Sequence, residues 1–341
     1  ENIVPTIISS EINDDNTVIS VTFSEEVYST TYGSGTLETF DFTLSITDGT
    51  STLTSNTPTG ISSLDNIYYL GITLNGTPDG NEIITVLPLS YSIFDKNSNV
   101  LSINQSNNFV SVNKKTLPEF SSVTINSDNT YIIVNFNEEV YSTTNMTGNL
   151  TRGNFNLSLS GGSATLSSST PLSIYRVNPY YLGINIIGTP NGSETLSVEP
   201  NGIYDYVGNL ISSNQTNNNV NISEKVNPYI TFTTISDDNS ILTVTFNELV
   251  YNNSSTTEPL NINNFILYTN SNRSVLKSTN PLSVTQDGLS YLLTLNLGVT
   301  PKINDYVQVT LSPDTIYDTG GNLASNTQSN NIALFNTIIL Q

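Results

Sequence analysis

Apolar and polar residues alternate along short runs of this chain. In the run 18–24, Ile19, Val21 and Phe23 are separated by residues with hydroxyl side chains. A period of two places the apolar side chains on one face of a β-strand and the hydroxyl groups on the other. Amphipathic stretches with the helical period of 3.6 are absent, so the pattern predicts an all-β chain and excludes a parallel α/β fold.

The same run returns twice, which indicates an internal repeat. Val-Thr-Phe-Ser-Glu-Glu-Val-Tyr at 21–28 recurs with small changes at 134–141 and at 244–251, so the copies are 113 and 110 residues apart. Each copy is long enough to bury a core of its own. The predicted domains are residues 1–113, 114–226 and 227–341.

Turn sequences separate the strand runs. Asp-Asp-Asn at 14–16 precedes the first run, and Gly-Thr-Pro-Asp-Gly at 76–80 recurs as Gly-Thr-Pro-Asn-Gly at 188–192. We expect both kinds of turn to close hairpins. About seven short strands in each repeat predict two antiparallel sheets packed face to face, which is a β-sandwich.

A proline opens each repeat, at Pro5, Pro118 and Pro228. The stretch before each proline is short, and proline restricts the backbone, so the joints between repeats are expected to be stiff. The sequence therefore predicts three tandem antiparallel β-sandwich domains in a rod-like array.

Composition removes several classes of function. The chain has no Cys and no His, which excludes disulfides, thiolate or imidazole metal sites, and catalytic triads that need either residue. Its net charge is −20 and its nine Lys and Arg residues are scattered, so we expect no nucleic-acid partner. No apolar run is long enough to span a bilayer, so membrane insertion is not expected.

The recurring motifs together resemble bacterial Ig-like repeats of the swimming-motility-protein (SwmB) type. They include Asp-Phe-Thr-Leu-Ser-Ile at 41–46, Gly-Thr-Pro-Asp-Gly at 76–80, Gln-Ser-Asn-Asn at 105–108 and Ile-Tyr-Asp-x-x-Gly-Asn at 203–209. The resemblance covers essentially the whole chain, and it implies that the three tandem β-sandwich domains are Ig-like. It implies a large surface or extracellular protein of bacteria, or a capsid-associated protein of large algal viruses, and a spacer, fibre or decoration rather than an enzyme.

Three series of acidic residues recur at equivalent positions and are candidate Ca²⁺ ligands. A glutamate follows the inward face of its strand, where a carboxylate needs backbone N–H groups or a cation. One aspartate lies on the first hairpin turn, and another lies on a turn near the end of the repeat. The three series are Glu25, Glu138 and Glu248; Asp15, Asp128 and Asp238; and Asp95, Asp205 and Asp318.

These oxygens would hold Ca²⁺ and stiffen a joint if they met at one pole of a domain. The alternative is that each aspartate closes an Asx turn and each glutamate caps a loop. No cofactor is required by either interpretation.

Two kinds of residue pair, Glu-Glu and Tyr-Tyr, have a structural explanation. The Glu-Glu pairs at 25–26 and 138–139 do not indicate glycoside hydrolysis, because neighbours on a strand point to opposite faces. The Tyr-Tyr pairs at 68–69 and 180–181 offer aromatic rings for sugars, but one tyrosine of each pair is expected in the core.

The leading prediction is a non-enzymatic structural protein that is extracellular or lies on a cell or virion surface, where it acts as a rod, spacer, fibre, or capsid or envelope decoration. Its partners would be other copies or other structural proteins of the same assembly. The alternative is an adhesin or lectin-like module that binds a host glycan or protein.

Overall fold

The computed structural model describes residues 3–175 and 178–336. Within these residues the secondary structure is β-strand, apart from three 3₁₀ turns at Thr39–Asp41, Arg152–Asn154 and Ile262–Asn264. Contacts divide the chain into two compact units. The first unit comprises Glu1–Phe120, Phe136–Asn154 and Pro200–Gln215, and the second comprises Ser121–Asn135, Phe155–Glu199 and Thr216–Gln341.

The first repeat has the strand order of an Ig constant-type sandwich. One sheet has the order β1-β2-β6-β5, the other has the order β3-β8-β9, and β4 pairs with β7. These orders correspond to strands A-B-E-D and C-F-G of that fold. The strands are β1 (Ile7–Ile12), β2 (Val18–Phe23), β3 (Phe42–Thr47), β4 (Thr52–Leu53), β5 (Gly60–Leu64), β6 (Ile67–Gly71), β7 (Leu74–Asn75), β8 (Ile83–Pro88) and β9 (Phe109–Ser111).

The same order follows in the second repeat. Its sheets are β10-β11-β15-β14 and β12-β17-β18, and β13 pairs with β16. The strands are β10 (Phe120–Ile125), β11 (Tyr131–Phe136), β12 (Phe155–Ser160), β13 (Thr165–Leu166), β14 (Ser173–Tyr175), β15 (Tyr180–Gly183), β16 (Ile186–Ile187), β17 (Thr195–Pro200) and β18 (Asn219–Asn221).

The third repeat has the same two sheets, β19-β20-β24-β23 and β22-β25-β27. Its short pair is different: β21 pairs with β26, and the place of the β4–β7 pair is taken by an isolated bridge between Leu276 and Leu297. The prediction of an all-β chain of tandem Ig-like sandwiches is thereby confirmed. The strands are β19 (Ile230–Ile235), β20 (Ile241–Phe246), β21 (Val250–Tyr251), β22 (Phe265–Thr269), β23 (Ser283–Asp287), β24 (Ser290–Thr294), β25 (Tyr306–Leu311), β26 (Tyr317–Asp318) and β27 (Ile332–Leu334).

The alternating residues supply the core between the two sheets. Ile19, Val21 and Phe23 are fully buried, as the period of two predicts. The ring of Phe23 lies 6.5 Å from that of Phe42 on the opposite sheet, measured between centroids. Burial of these side chains is the main source of stability in a chain without disulfides.

The structure confirms one of the two predicted hairpin turns and contradicts the other. Residues 13–17 join the antiparallel strands β1 and β2, as expected. The Gly-Thr-Pro-Asp-Gly turn is not a hairpin, and the prediction was wrong for it. It carries the chain from β6 and β7 to β8 in the other sheet. Gly80 has φ +88° there, a left-handed conformation that a turn between sheets also requires.

An asparagine in the first hairpin turn of a repeat ties that turn to the segment that follows the last strand. The Asn16 side chain accepts a hydrogen bond from the N–H of Asn113 at 2.9 Å and donates one to its carbonyl at 2.7 Å. The same pair of bonds joins Asn239 to Asn336. These asparagines are buried, so their side chains need hydrogen-bond partners within the protein. The bonds that they make hold the two ends of the repeat together.

The first strand carries a β-bulge in the first repeat and in the third. In β1 the register with β2 shifts between Ile7 and Ser9. In β19 the register with β20 shifts between Ile230 and Phe232. Both strands lie at the edge of their sheet, so the bulge interrupts the regular spacing of backbone N–H and C=O groups along that edge.

A buried tyrosine hydroxyl offers a test of the third core. Tyr291 is fully buried and donates to the Val250 carbonyl at 2.9 Å. We expect Tyr291→Phe to lower the free energy of unfolding by about 1 kcal/mol, because the carbonyl loses its partner. Urea unfolding measures the change, with Tyr268→Phe on the exposed face as the control. Equal effects of the two variants would contradict this role of the hydroxyl.

Candidate functional site

The side chain of Lys114 lies buried in an ionic cluster. Its Nζ is 2.6 Å from Asp205 Oδ2, 3.1 Å from Glu138 Oε1 and 2.6 Å from the Thr116 carbonyl oxygen. An ammonium group has three N–H donors, so each donor has one acceptor. We call residues 114–118, which connect the first and second repeats, the first joint.

The first joint is also bound to the turn of the first repeat. The backbone N–H groups of the two residues after Lys114 donate to the Pro78 carbonyl at 2.8 and 3.0 Å. A Cβ on Gly80 would lie 2.9 Å from the Cβ of Lys114. The Lys114 ammonium lies 5.8 Å from the ring centroid of Tyr206, within the range of a cation–π contact. All these residues belong to the first unit, so its contacts link the joint to both repeats.

Burial and ion pairing oppose each other in this cluster. Burial disfavours the charge of Lys114, but the bonds to Asp205 and Glu138 outweigh it and raise the pKa of Lys114. Burial also disfavours the charge of Asp205, yet Lys114 and Asn209 hold the pKa of Asp205 below its usual value. At Glu138 burial prevails over the longer bond to Lys114, and the pKa of Glu138 is raised. The ammonium therefore supports Asp205 more than Glu138.

Three carboxylates occupy the equivalent place before the third repeat. One oxygen each from Glu224, Glu248 and Asp318 lies within 4.8 Å of the others. Asp318 is fully buried, and both glutamates are half-buried. All three belong to the second unit. We call residues 224–228 the second joint.

The two joints have the same backbone arrangement. The side-chain amide of Asn209 donates to the Lys114 carbonyl at 3.5 Å, and that of Asn322 donates to the Glu224 carbonyl at 3.3 Å. The carboxylates also correspond, since Glu138 and Asp205 recur as Glu248 and Asp318. The difference is a reversal of charge, because Glu224 stands where the first joint has Lys114.

In the series Asp95, Asp205 and Asp318, the aspartate closes a turn. Asp318 Oδ1 accepts the N–H of Asn322 at 2.7 Å, and Oδ2 accepts its side-chain amide at 2.9 Å. Asp95 makes the same two bonds to Asn99, both at 2.7 Å. Asx-type turns of this kind orient the carboxylate, and they leave further lone pairs of Oδ2 for a cation.

Like charges act on one another in the three-carboxylate cluster. Burial raises the pKa of Glu224, and the charges of Asp318 and Glu248 raise it further, to about 7. Burial followed by the charge of Asp318 raises the pKa of Glu248. The cluster therefore resists carrying three negative charges without a compensating positive one.

The hairpin aspartates lie elsewhere. Asp238 precedes β20 and Glu248 follows it, and a six-residue strand spans about 20 Å. The Asp238 carboxylate instead accepts the Ser236 and Ser240 hydroxyls at 2.6 and 2.7 Å. Asp15 and Asp128 precede β2 and β11 in the same way, so the structure does not bring this series together with the other two. In the first repeat Glu25 is half-buried and Asp95 is fully buried.

A fully buried glutamate was not foreseen. Glu82 follows the Pro-Asp-Gly turn and accepts N–H groups of Thr50, Ser51, Asp79 and Gly80 at 2.9–3.2 Å. Burial would raise the pKa of Glu82, but these donors outweigh it and lower the pKa to about 2. A carboxylate two residues after Pro-Asp-Gly was a signal for this role.

Carboxylates of the second and third repeats hold the corresponding loops in the same way. Glu194 replaces Glu82 in the second repeat, and its pKa is also lowered, because backbone N–H groups outweigh burial. In the third repeat, whose turn sequence differs, Asp305 accepts the Lys302 N–H at 2.7 Å and pairs with Arg273 at 2.6 Å. These carboxylates fasten loops to the body of the sandwich.

Within the residues that the structure describes, no helix has the length and apolar character needed to cross a membrane.

Comparisons with known proteins give weak likenesses. No protein-family model matches the chain, and neither does any curated protein. Among solved structures, the Escherichia coli adhesin FdeC is 14% identical, with a TM-score of 0.32 over 96% of this chain and 95% of that one. The I9-I11 tandem from titin is 9% identical, with a TM-score of 0.27 over 97% and 98% of the two chains. Because these values are low, the fold assignment rests on the strand order of this chain itself.

Proposed function

We propose that this chain is a non-enzymatic structural protein of an outer surface, in which Ig-like repeats set the separation of what they connect. It would serve as a spacer, fibre or decoration of a cell, capsid or envelope, with other copies or other structural proteins as partners. We also propose that its repeats are related to the bacterial Ig-like repeats of the swimming-motility-protein type. The observation that supports the structural role best is the buried Lys114 at the first joint.

A flexible tether would leave its charged residues in water. At the first joint, burial of Lys114 removes an ammonium from water and is tolerated because three acceptors surround it. Two of these acceptors are carboxylates of the second repeat, and the neighbouring backbone is bound to Pro78 of the first. A joint held from both sides transmits orientation, which a spacer needs and an independently moving binding module does not.

Spin labels can measure the stiffness of the first joint. The chain has no Cys, so Cys introduced at the exposed positions Ser62 and Thr144 would be the only labelling sites. We expect a narrow distribution of distances between the two labels, and a clearly broader one when Lys114→Met is added, because the ionic contacts are lost. Lys115→Met, at an exposed side chain, is the matched control. A distribution that is already broad without Lys114→Met would contradict the spacer proposal.

A second candidate function is a glycan-binding module. Three tyrosines lie together on the outer face of the second repeat: Tyr175 stacks on Tyr181 with 5.3 Å between centroids, and Tyr131 lies 5.6 Å from Tyr181. Tyr68 and Tyr180 are buried, which confirms that one tyrosine of each pair enters the core. Aromatic rings on a surface offer stacking area for sugars.

Binding and localisation experiments separate the two functions. Glycan-array signal that is lost in Tyr175→Ala but kept in Tyr268→Ala, at another exposed tyrosine, would favour the glycan-binding module. Microscopy of the native particle or cell that finds the chain packed stoichiometrically in a surface lattice would favour the spacer.

A further inference from the structure

We propose that Glu224, Glu248 and Asp318 bind one Ca²⁺ ion at the second joint, in the place that the Lys114 ammonium takes at the first. The inference concerns the site alone and stands whether or not the chain is a spacer. It uses two independent observations: the three carboxylates themselves, and the cation already present at the equivalent position of the same chain.

The first joint shows what this arrangement of side chains holds. Glu138 and Asp205 direct oxygens at one positive group, 3.1 and 2.6 Å from its nitrogen. Glu248 and Asp318 repeat this pair, but the residue that supplied the positive charge is now Glu224. A positive group therefore has to come from outside the chain if the same pair is to be neutralised.

The ligands identify the ion. Three carboxylate oxygens within 4.8 Å of one another are close enough to contact a common cation. Hard oxygen donors without sulfur or imidazole suit Ca²⁺, whose flexible coordination at about 2.3–2.6 Å accepts carboxylates and water together. Zn²⁺ is disfavoured, because the chain has neither Cys nor His.

The cluster is ready to receive an ion. Asn322 fixes both oxygens of Asp318 and also donates to an oxygen of Glu224, while Glu224 accepts the N–H of Val226. Bound Ca²⁺ would join Glu224 in the second joint to Asp318 in β26. Its effect would be to fasten the second joint to the third repeat, as Lys114 fastens the first joint to the second.

Calorimetric titration of the full chain with CaCl₂ after dialysis against EDTA tests the site. We expect one saturable binding event and a rise of about 5 °C or more in one melting transition at about 10 mM Ca²⁺, since Ca²⁺ sites of extracellular modules bind at about 10⁻⁴–10⁻³ M. Tb³⁺ luminescence provides a second readout. The chain has no Trp, so tyrosine is the sensitiser, and Tyr317 of β26 directly precedes Asp318 and pairs with Tyr251 of β21.

Charge-swapped variants locate the ion. Glu224→Lys copies the first joint, so it should abolish Ca²⁺ binding while keeping or raising the melting temperature without Ca²⁺. Lys114→Glu copies the second joint, so it should lower the melting temperature without Ca²⁺ and add a second binding event. Asp287→Asn, at an exposed carboxylate of β23, is the control and should leave binding unchanged.

Three results would overturn the proposal: no binding heat and no thermal shift in the unaltered chain; binding that Glu224→Lys leaves intact, which would place the ion elsewhere on the acidic surface; or equal loss of binding in Asp287→Asn. Far-UV circular dichroism shows whether each variant is folded. Because Glu224→Lys restores a pairing that the chain already uses, it separates loss of the ligand from loss of the fold.

Discussion

Replacing Lys114 by Met is expected to lower the free energy of unfolding by about 3–5 kcal/mol at neutral pH, because it leaves the buried Asp205 carboxylate and Glu138 without their cation. The methionine keeps the aliphatic volume of the stem, so the loss reports mainly the charge. Thermal and urea unfolding of the full chain measure it, and peptide-resolved hydrogen exchange assigns it to the segments at the first joint.

The pH dependence of this loss has a definite sign. The pKa of Asp205 is lowered, so its ionised form stabilises the fold above its ordinary pKa of 3.8 and loses this effect as the pH falls. The pKa of Lys114 is raised, so its effect is complete below 10.5 and is lost as the pH rises further. The deficit of Lys114→Met should therefore be largest between these two values and shrink toward pH 3. Lys115→Met should stay within about 0.5 kcal/mol of the unaltered chain; a comparable loss there would refute the role of the buried ammonium.

Glu82→Gln is expected to lower the free energy of unfolding of the first repeat by about 2–3 kcal/mol at pH 7, because a neutral amide with one acceptor oxygen replaces a carboxylate that accepts four backbone N–H groups. The Gly49 turn adds to the cost: an added Cβ there would lie 2.3 Å from Glu82 Cδ, which shows how closely this loop surrounds the carboxylate. Hydrogen exchange in β4 and β8 reports the loosened loop.

Acid should remove the difference between this variant and the unaltered chain. The pKa of Glu82 is about 2 in the fold and 4.5 ordinarily, so its stabilisation is complete above pH 4.5 and is lost as the pH falls toward 2. Unfolding curves at pH 7, 4.5 and 3 measure the convergence. Glu11→Gln, at an exposed carboxylate of β1, should change little at any of these values. A difference that stays constant down to pH 3 would contradict the pKa assignment.

Local pattern predicted the strands well because alternation depends on one strand and its sheet. Ile19, Val21 and Phe23 needed no knowledge of the partner strand to be placed in the core. The turn at Gly80 was misassigned because Pro-Asp-Gly suits any tight reversal, and whether the next strand joins the same sheet or the opposite one depends on packing distant in sequence.

Two of the three carboxylates at the second joint could be predicted in the same way. Glu248 and Asp318 recur in every repeat as an acidic pair, so their positions were visible as candidate ligands. Glu224 has no acidic counterpart at the first joint, because Lys114 stands at the matched position. Residues shared between repeats therefore do not include it. The hairpin Asp238 was grouped with them although a whole strand separates it from Glu248. Comparing unlike residues at matched positions would have found the third carboxylate.

The bulges in β1 and β19 matter most where many copies of this chain lie side by side. A regular edge strand presents a row of unpaired N–H and C=O groups that a neighbour can extend into a continuous intermolecular sheet. The shifted register at Ile7–Ser9 and Ile230–Phe232 breaks the spacing that such zippering needs. If copies pack densely in a surface assembly, as proposed above, sandwiches can make lateral contact through their side chains without joining into one continuous sheet.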